Sequence, residues 1–381
     1  MLDATRLDGA QRLIEKRVTQ VAVVVWLSGL VSSLPLCRTS HIKRFYPYVL
    51  TVSTSTVILM LTVLTSEGED PVLTRLWKTD APLTLTGLLM LPALAFAAIG
   101  LIVDPRIITG APAWLKPAKF AVSIAAYVFT LAWIFSFIPG FKSTRRIVGW
   151  VTAIVMVLEL AIISLQAWRG TTSHFNFSTS LNAALFAVMG MAIVLQTVTS
   201  IAVAIALWRQ EFEDQALGWA LRLGMIITII GALSGALMTR PTAAQLAAAH
   251  AGHAMPVIGA HTVGAPDGGP GTPGTGWSTE HGDLRVPHFV GLHALQALPL
   301  IAFVVRRRRP PAVVHARLTL TAAGSYFILF AILLAQAFRG QPVLHPDAVT
   351  METLGAWALV TAVCAWRSVA RTATIGTPEM I

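Results

Sequence analysis

Two histidines and a glutamine mark the stretch of this chain that could best bind a ligand. His288 and His293 lie in DLRVPHFVGLHALQALPL, residues 283–300, where a glycine-rich loop gives way to an apolar run. With Pro287 in the first helical turn, His293 would lie ~7.5 Å deeper than His288 at about 1.5 Å per residue. On a straight helix these two rings point roughly 140° apart, whereas His293 and Gln296 share a face. The pattern predicts a binding face formed by His293 and Gln296, with His288 at its rim.

A lone carboxylate falls inside another apolar run. Glu159 precedes Gln166 by seven residues, so the two share one helix face. A charge at such depth costs roughly 2.5–3.5 kcal/mol on insertion scales, so Glu159 should face protein or water. It either joins two helices in its protonated form or accepts protons from the outer side, and it is the predicted catalytic residue.

The other candidates lie on turns and helix ends that we expect on the outer side of the membrane. Together with the residues above, the predicted cofactor-binding set is Gln166, His174, Asn176, His288, His293, Gln296 and Arg339. Neutral imidazoles from separate helices suit haem iron or copper, so His174 and His293 are the predicted metal ligands. Lys116 and Lys119 either reach towards lipid headgroups or supply positive charge to an anionic ligand.

The composition is that of a membrane protein, which excludes most soluble classes. Of the 381 residues, 55% are hydrophobic and 12% are charged, against about 25% charged in soluble domains. Apolar runs near the required length of about 20 residues predict an all-α polytopic bundle with about ten spans, eight of them firm. They cover 19–36, 46–65, 82–103, 117–138, 147–167, 182–208, 217–238, 288–305, 317–338 and 352–369. In the seventh span, the spacing of Gly231 and Gly235 predicts close helix packing.

The net charge of +10 is better explained by membrane orientation than by nucleic-acid binding. With the N-terminus inside, 18 of the 28 lysines and arginines fall on the inner side, most clearly Arg306 to Arg309. The two earliest spans are weaker, and a signal peptide with its apolar part at 20–31 is the alternative for that region. The scarcity of lysine relative to arginine suggests a bacterial protein of the cytoplasmic (inner) membrane.

Four regions follow from these patterns. Residues 1–81 hold the weaker spans, 82–240 five spans, 241–287 an extracytoplasmic loop rich in glycine, proline and histidine, and 288–381 three spans with a cytoplasmic C-terminus. The loop is either a flexible linker or a cap over the outer mouth of the bundle. Because the polar residues gather in the outer half, we expect a polar cavity there.

Three classes of function could use such a cavity. The first is a redox role in which the histidines bind haem, copper or a quinone. The second is proton-coupled transport of a small anionic or polar solute, with Glu159 and His293 as the proton-linked pair. The third is a sensor, scaffold or assembly factor without catalysis. The expected partners are the lipid bilayer and a small molecule from the extracytoplasmic side, with no nucleic acid.

Familiar catalytic signatures are missing from the sequence. There is no GxxxxGK[ST], HExxH or GxSxG motif, so ATP hydrolysis, zinc proteolysis and serine hydrolysis lack their usual residues. The two cysteines, Cys37 and Cys364, are far apart and form no CxxC motif. The sequence leaves open the cofactor, the oligomeric state and whether the protein is an enzyme.

Overall fold

The computed structural model describes residues 71–373, and regular structure in this part is almost entirely helical. The spans predicted at 19–36 and 46–65 lie outside the described residues. The helices are α1 (Val72–Thr79), α2 (Ala81–Val103), α3 (Leu115–Phe135), α4 (Lys142–Trp168), α5 (Ser180–Arg209), α6 (Gln215–Ser234), α7 (Ala243–His250), α8 (Arg285–Leu292), α9 (Ala294–Arg306), α10 (Ala312–Phe338) and α11 (Ala348–Ala373). A 3-10 turn, Gly235–Thr239, continues α6.

By length and composition, the described part has seven helices that could each cross a membrane. The pair α8 and α9 passes the same test together although it is bent by 52°, and it makes an eighth crossing when it is counted as one span. Each of the eight firm predicted spans coincides with one of these crossings. The predicted all-α polytopic bundle is thereby confirmed, and the protein is a multi-pass membrane protein.

The crossings bring the connections together at two ends of the bundle. At one end, Arg306 forms an ion pair with Asp214 at 3.2 Å, and Arg145 donates to the carbonyl of Thr79. We call this the arginine-rich end, and it contains the connections 136–141, 210–214 and 307–311. The histidine-rich end is the opposite one, with the connections 104–114, 169–179, 240–284 and 339–347.

The helices form two packed groups. In the first, α2, α3 and α4 pack together around fully buried side chains such as Val128, Leu131 and Phe135. In the second, α6 packs against α8, α9 and α10, and α5 lies between the groups in contact with α4 and α6. α11 packs on α10 and exposes most of its apolar side chains, as a lipid-facing helix does.

The bent span departs from the single continuous helix that the sequence predicted over 288–305. The break falls at His293, whereas Pro299 lies inside α9. Thr228 of α6 holds both sides of the break, because its hydroxyl donates to the carbonyl of Leu292 at 3.3 Å and accepts from the amide of Leu295 at 3.2 Å. Backbone groups freed by a break in lipid must find such partners. The hydroxyl of a neighbouring helix therefore stabilises the break.

Close packing of α6 against α8 supports the same region. A Cβ atom at Gly231 would lie 2.5 Å from the carbonyl carbon of Gly291, and one at Gly235 would lie 2.9 Å from the ring of His288. The predicted close packing at these two glycines is thus present. It brings the α8 backbone directly onto α6 and sets the position of His288.

The connection at 240–284 is tied to several helix ends. Its two-residue strands β3 (Thr262–Val263) and β4 (Gly282–Asp283) pair antiparallel. The two ends of the segment between these strands therefore lie next to each other. Backbone hydrogen bonds join the connection to the 169–179 turn, from the amide of Phe177 to Pro256 and from the amide of Ile258 to Phe175. A second two-stranded ribbon, β1 (Ile107–Ile108) with β2 (Ala111–Pro112), precedes α3.

Candidate functional site

Two lysines in the first turns of α3 point into the histidine-rich end. Lys116 Nζ lies 3.1 Å from Nδ1 of His174, and Lys119 Nζ donates to the carbonyl of Thr275 at 2.9 Å. Among the described residues no carboxylate lies within ion-pair distance of either ammonium group. The lysines are also close enough to repel each other. Two partly buried cations without ion-pair partners are unusual, because a buried charge normally has a counter-charge.

Glu159 of α4 is the nearest acidic group inside the bundle. Its side chain is 3% exposed, and its Oε1 atom has no hydrogen-bond partner within the described part of the protein. It interacts electrostatically with Lys116, as does Asp267 of the 240–284 connection. Lys116 therefore interacts both with a carboxyl group inside the bundle and with an imidazole at its end.

His174 lies in a cluster of imidazoles above Lys116. Burial, and then the positive charges of Lys116, His261 and His288, lower the pKa of His174 well below its ordinary value. Its ring packs near those of Phe120 and Phe186, at centroid distances of 6.2 and 6.0 Å. His174 is thus held neutral in an apolar cage, where its Nδ1 atom can accept a hydrogen bond from the ammonium of Lys116.

His261 and Asp267 connect this cluster to the surface of the connection. His261 Nδ1 lies 2.6 Å from the Asp267 carboxylate, which also accepts the amides of His261 and Thr262. Burial raises the pKa of Asp267, but these hydrogen bonds outweigh it and hold the pKa below its ordinary value. Burial lowers the pKa of His261, although the carboxylate opposes that shift.

The neutral state of His174 predicts a pH-dependent stability. Because its folded-state pKa lies below the ordinary value of 6.5, the unfolded chain binds more protons as the pH falls through 6.5, so acid favours unfolding. We expect the melting temperature in detergent to fall between pH 7.5 and 5.5, and to fall less steeply in His174→Gln. His261 acts in the same direction, so part of the slope should remain.

A matched control uses a histidine on the 240–284 connection at the same end. His253 is exposed and takes no part in the cluster, so His253→Gln should keep the full slope. If the slope in His174→Gln equals that of the wild type, then His174 is not held neutral by burial.

Two predicted residues, Gln166 and Asn176, occupy a separate network beside the cluster. Gln166 is fully buried and donates to Asn182 at 3.0 Å, and Arg169 donates to the same Asn182 oxygen at 2.7 Å. Asn176 donates to Thr171 and to the carbonyl of Thr172 and accepts the amide of Ser178. The amide groups of Gln166 and Asn176 are thus used to hold the 169–179 turn, and the turn positions His174.

Arg339 lies at the same end in a network of its own. It pairs with Asp347 and donates to Thr350 Oγ1 at 2.6 Å at the start of α11. Hydrogen bonds from Thr350, together with Arg339, lower the pKa of Asp347. The described contacts of Arg339 join α10 to α11 and do not reach the imidazole cluster.

The broken span carries three predicted residues, with His288 on α8, His293 at the break and Gln296 on α9. His288 Nδ1 bonds to the carbonyl of Gly231 at 2.7 Å, and His293 Nδ1 bonds to the carbonyl of Phe289 at 2.9 Å while its ring stacks on Phe289. Gln296 donates to Thr130 of α3 at 3.4 Å. His288 is close enough to act on His174 electrostatically, whereas His293 lies at the break and contacts Phe289.

The described residues contain no group of three or more His, Cys, Asp or Glu side chains that could hold a metal ion. The assignment of His174 and His293 as metal ligands stays a prediction. The cluster that does form includes Lys116, His261 and Asp267, which the sequence did not place next to His174. Lys116 and His174 are 58 positions apart, and no local pattern signals such a contact.

Comparison with protein-family models, curated proteins and solved structures found no match for the chain.

Proposed function

We propose that the protein transports a small anion across the membrane together with protons. The observation that carries this proposal is the environment of Lys116, a partly buried cation that lies 3.1 Å from Nδ1 of His174 and interacts electrostatically with the interior carboxyl group of Glu159. A cation beside a group that can gain and lose a proton is the minimum that such coupling requires. The expectation of a small anionic solute follows from the lysine pair.

The anion would bind at Lys116 and Lys119. Each ammonium has three donor hydrogens, and the contacts with His174 and Thr275 leave hydrogens on both lysines for a ligand. Arg285, the next cation, is already engaged by Asp283 at 2.6 Å and by a backbone carbonyl. A carboxylate or phosphate between the lysines would relieve their repulsion and supply a counter-charge.

The broken span supports transport over a purely structural role. Discontinuous helices within the membrane commonly form the substrate and ion sites of secondary transporters. Here the break at His293 lies beside Gln296, whose buried Oε1 has no partner among the described residues, and the same holds for Oε1 of Gln196 on α5. These two oxygens and Glu159 place unpaired acceptors on three helices inside the described bundle, where a polar path would need them.

Binding of the anion is tested with Lys116→Gln in proteoliposomes on a solid-supported membrane. Concentration jumps of succinate, glutamate, lactate and phosphate should elicit a current in the wild type for at least one anion. Loss of a charge-assisted hydrogen bond costs about 1.5–3 kcal/mol, so the half-saturating concentration should rise roughly ten- to a hundredfold in the variant.

Arg240→Gln is the matched control, because Arg240 is an exposed cation at the same end. It should leave the half-saturating concentration within about twofold, as expected of a solvated charge. The proposal fails if no anion in the panel elicits a current, or if the two variants respond alike.

A redox role is the second candidate, and one observation favours it. The Nδ1 atoms of His288 and His293 both face backbone carbonyls, which leaves each Nε2 atom as the free base. This is the tautomer in which histidine ligates metals, and it would also suit a hydrogen bond to a quinone. Bound haem would supply electron-transfer chemistry at these rings.

The absorption spectrum of the purified protein distinguishes a haem-binding redox protein from a transporter that has no cofactor. A Soret band that is lost in His293→Ala but kept in His253→Ala would favour the redox role. Protein without a Soret band and without copper by elemental analysis would leave only the quinone form of that candidate.

A further inference from the structure

A basic cleft lies at the arginine-rich end, far from the lysine pair. It has a volume of ≈ 210 Å³ and lies between the start of α2 and the first turns of α4. Three cations and one carboxylate line it, together with an indole ring: Lys142, Arg145, Arg146, Asp80 and Trp150. The positive charge of its walls exceeds the negative charge.

The carboxylate of the cleft is already in use. Asp80 accepts the amide of Leu83 at 3.0 Å and so caps α2, and its oxygens pack against Gly149 of α4. It also interacts electrostatically with Arg145. The role of Asp80 as a cap therefore leaves the other two cations of the cleft without a counter-charge among the described residues.

The cations keep free donors. Arg145 donates through Nη2 to the carbonyl of Thr79, but its buried Nε atom has no partner within the described part. Lys142 and Arg146 are exposed and form no hydrogen bond or ion pair with any described residue. Spaced three and four positions along one helix, the three side chains share a face. Together they can surround a phosphate group.

The side of the cleft next to lipid is apolar. Trp150 is 56% exposed, and Ile147 and Ile154 beside it on α4 are 60% and 62% exposed. Tryptophan at the membrane interface with isoleucine below it is a surface for a headgroup boundary and acyl chains. A free phosphate would contact only the cations, whereas a lipid would also cover the exposed side chains of Ile147, Trp150 and Ile154.

We propose that the cleft binds the headgroup of an anionic phospholipid, with the phosphate between Lys142, Arg145 and Arg146 and the acyl chains along Trp150 and Ile154. The general attraction of basic residues to an anionic leaflet would act at every arginine of this end. Binding at the cleft is instead specific to these positions.

The test measures lipid binding to the purified full-length chain in detergent by native mass spectrometry. The probe is phosphatidylglycerol, with phosphatidylcholine and inorganic phosphate as the other arms. In Lys142→Gln with Arg146→Gln, phosphatidylglycerol affinity should fall roughly ten- to thirtyfold, since each basic residue at a membrane surface contributes about fivefold. Phosphate at equal concentration should displace little lipid.

The control double variant, Arg209→Gln with Arg308→Gln, removes the same charge from exposed positions of the same end. It should change the affinity by less than about twofold. An equal loss in both double variants, equal binding of phosphatidylcholine, or displacement by phosphate alone would each overturn the proposal. Should the cleft double variant be recovered poorly, Arg146→Gln alone provides the same test with a smaller expected loss.

Discussion

Replacing Glu159 by glutamine is expected to abolish proton uptake coupled to the anion while anion binding persists. The amide matches the carboxyl group in size but cannot accept a proton, so the interior end of the Lys116 arrangement can no longer change its charge. In liposomes loaded with a pH-sensitive dye, the anion-dependent acidification should fall by about a hundredfold if protonation of Glu159 is obligatory. The anion should still shift the melting temperature of the variant.

The same substitution tests the structural alternative for Glu159. Because Oε1 has no partner within the described residues, an uncharged amide should fold at least as stably as the acid. If Glu159 only joined helices in its protonated form, glutamine could also donate a hydrogen bond and proton uptake would be unchanged. Glu352→Gln is the control, because the carboxylate of Glu352 is exposed on α11 at the histidine-rich end.

Replacing Gly231 by leucine is expected to give the largest loss of stability. A side chain at this position would meet the backbone of Gly291 and Leu292 at 2.5 to 2.7 Å, and backbone cannot move aside as a flexible side chain can. Overpacking commonly costs about 1–3 kcal/mol, and we expect the upper end of that range or more. Thermal unfolding of the detergent-solubilised protein measures the change.

Gly190→Leu provides a control for the chemistry of the substitution. Gly190 lies within α5, and a Cβ atom there would meet no described atom within 4 Å. Removing a helical glycine favours the helix by about 0.5–1 kcal/mol, so this variant should be as stable as the wild type or more so. If both leucine variants unfolded alike, the contact between α6 and α8 would not govern stability.

Local sequence patterns predicted the architecture because the physics behind them is local. An apolar run such as 182–208 must become a helix in lipid, since its backbone has no other hydrogen-bond partners. The spacing of Gly231 and Gly235 likewise predicts close packing without naming the partner helix. These features depend on residues within a few turns of one another.

The candidate site depends on contacts between distant positions, which explains why much of it was missed. His174 could be named from its position in a polar turn, but its contact with Lys116 requires the relative placement of α3 and the turn after α4. The break at His293 depends on Thr228 in another helix. The apolar run alone predicted one continuous helix, because neither proline nor glycine stands at residue 293.

The hydroxyl of Thr228 has a consequence for the evolution of this protein. One oxygen serves the carbonyl of Leu292 and the amide of Leu295, so only threonine or serine can do both within the space that α6 leaves. Lipid-facing positions are free to drift among apolar residues, whereas position 228 is not. Descendants of the same ancestor should therefore carry a hydroxyl residue at the place of Thr228 and a glycine three positions later, at the place of Gly231.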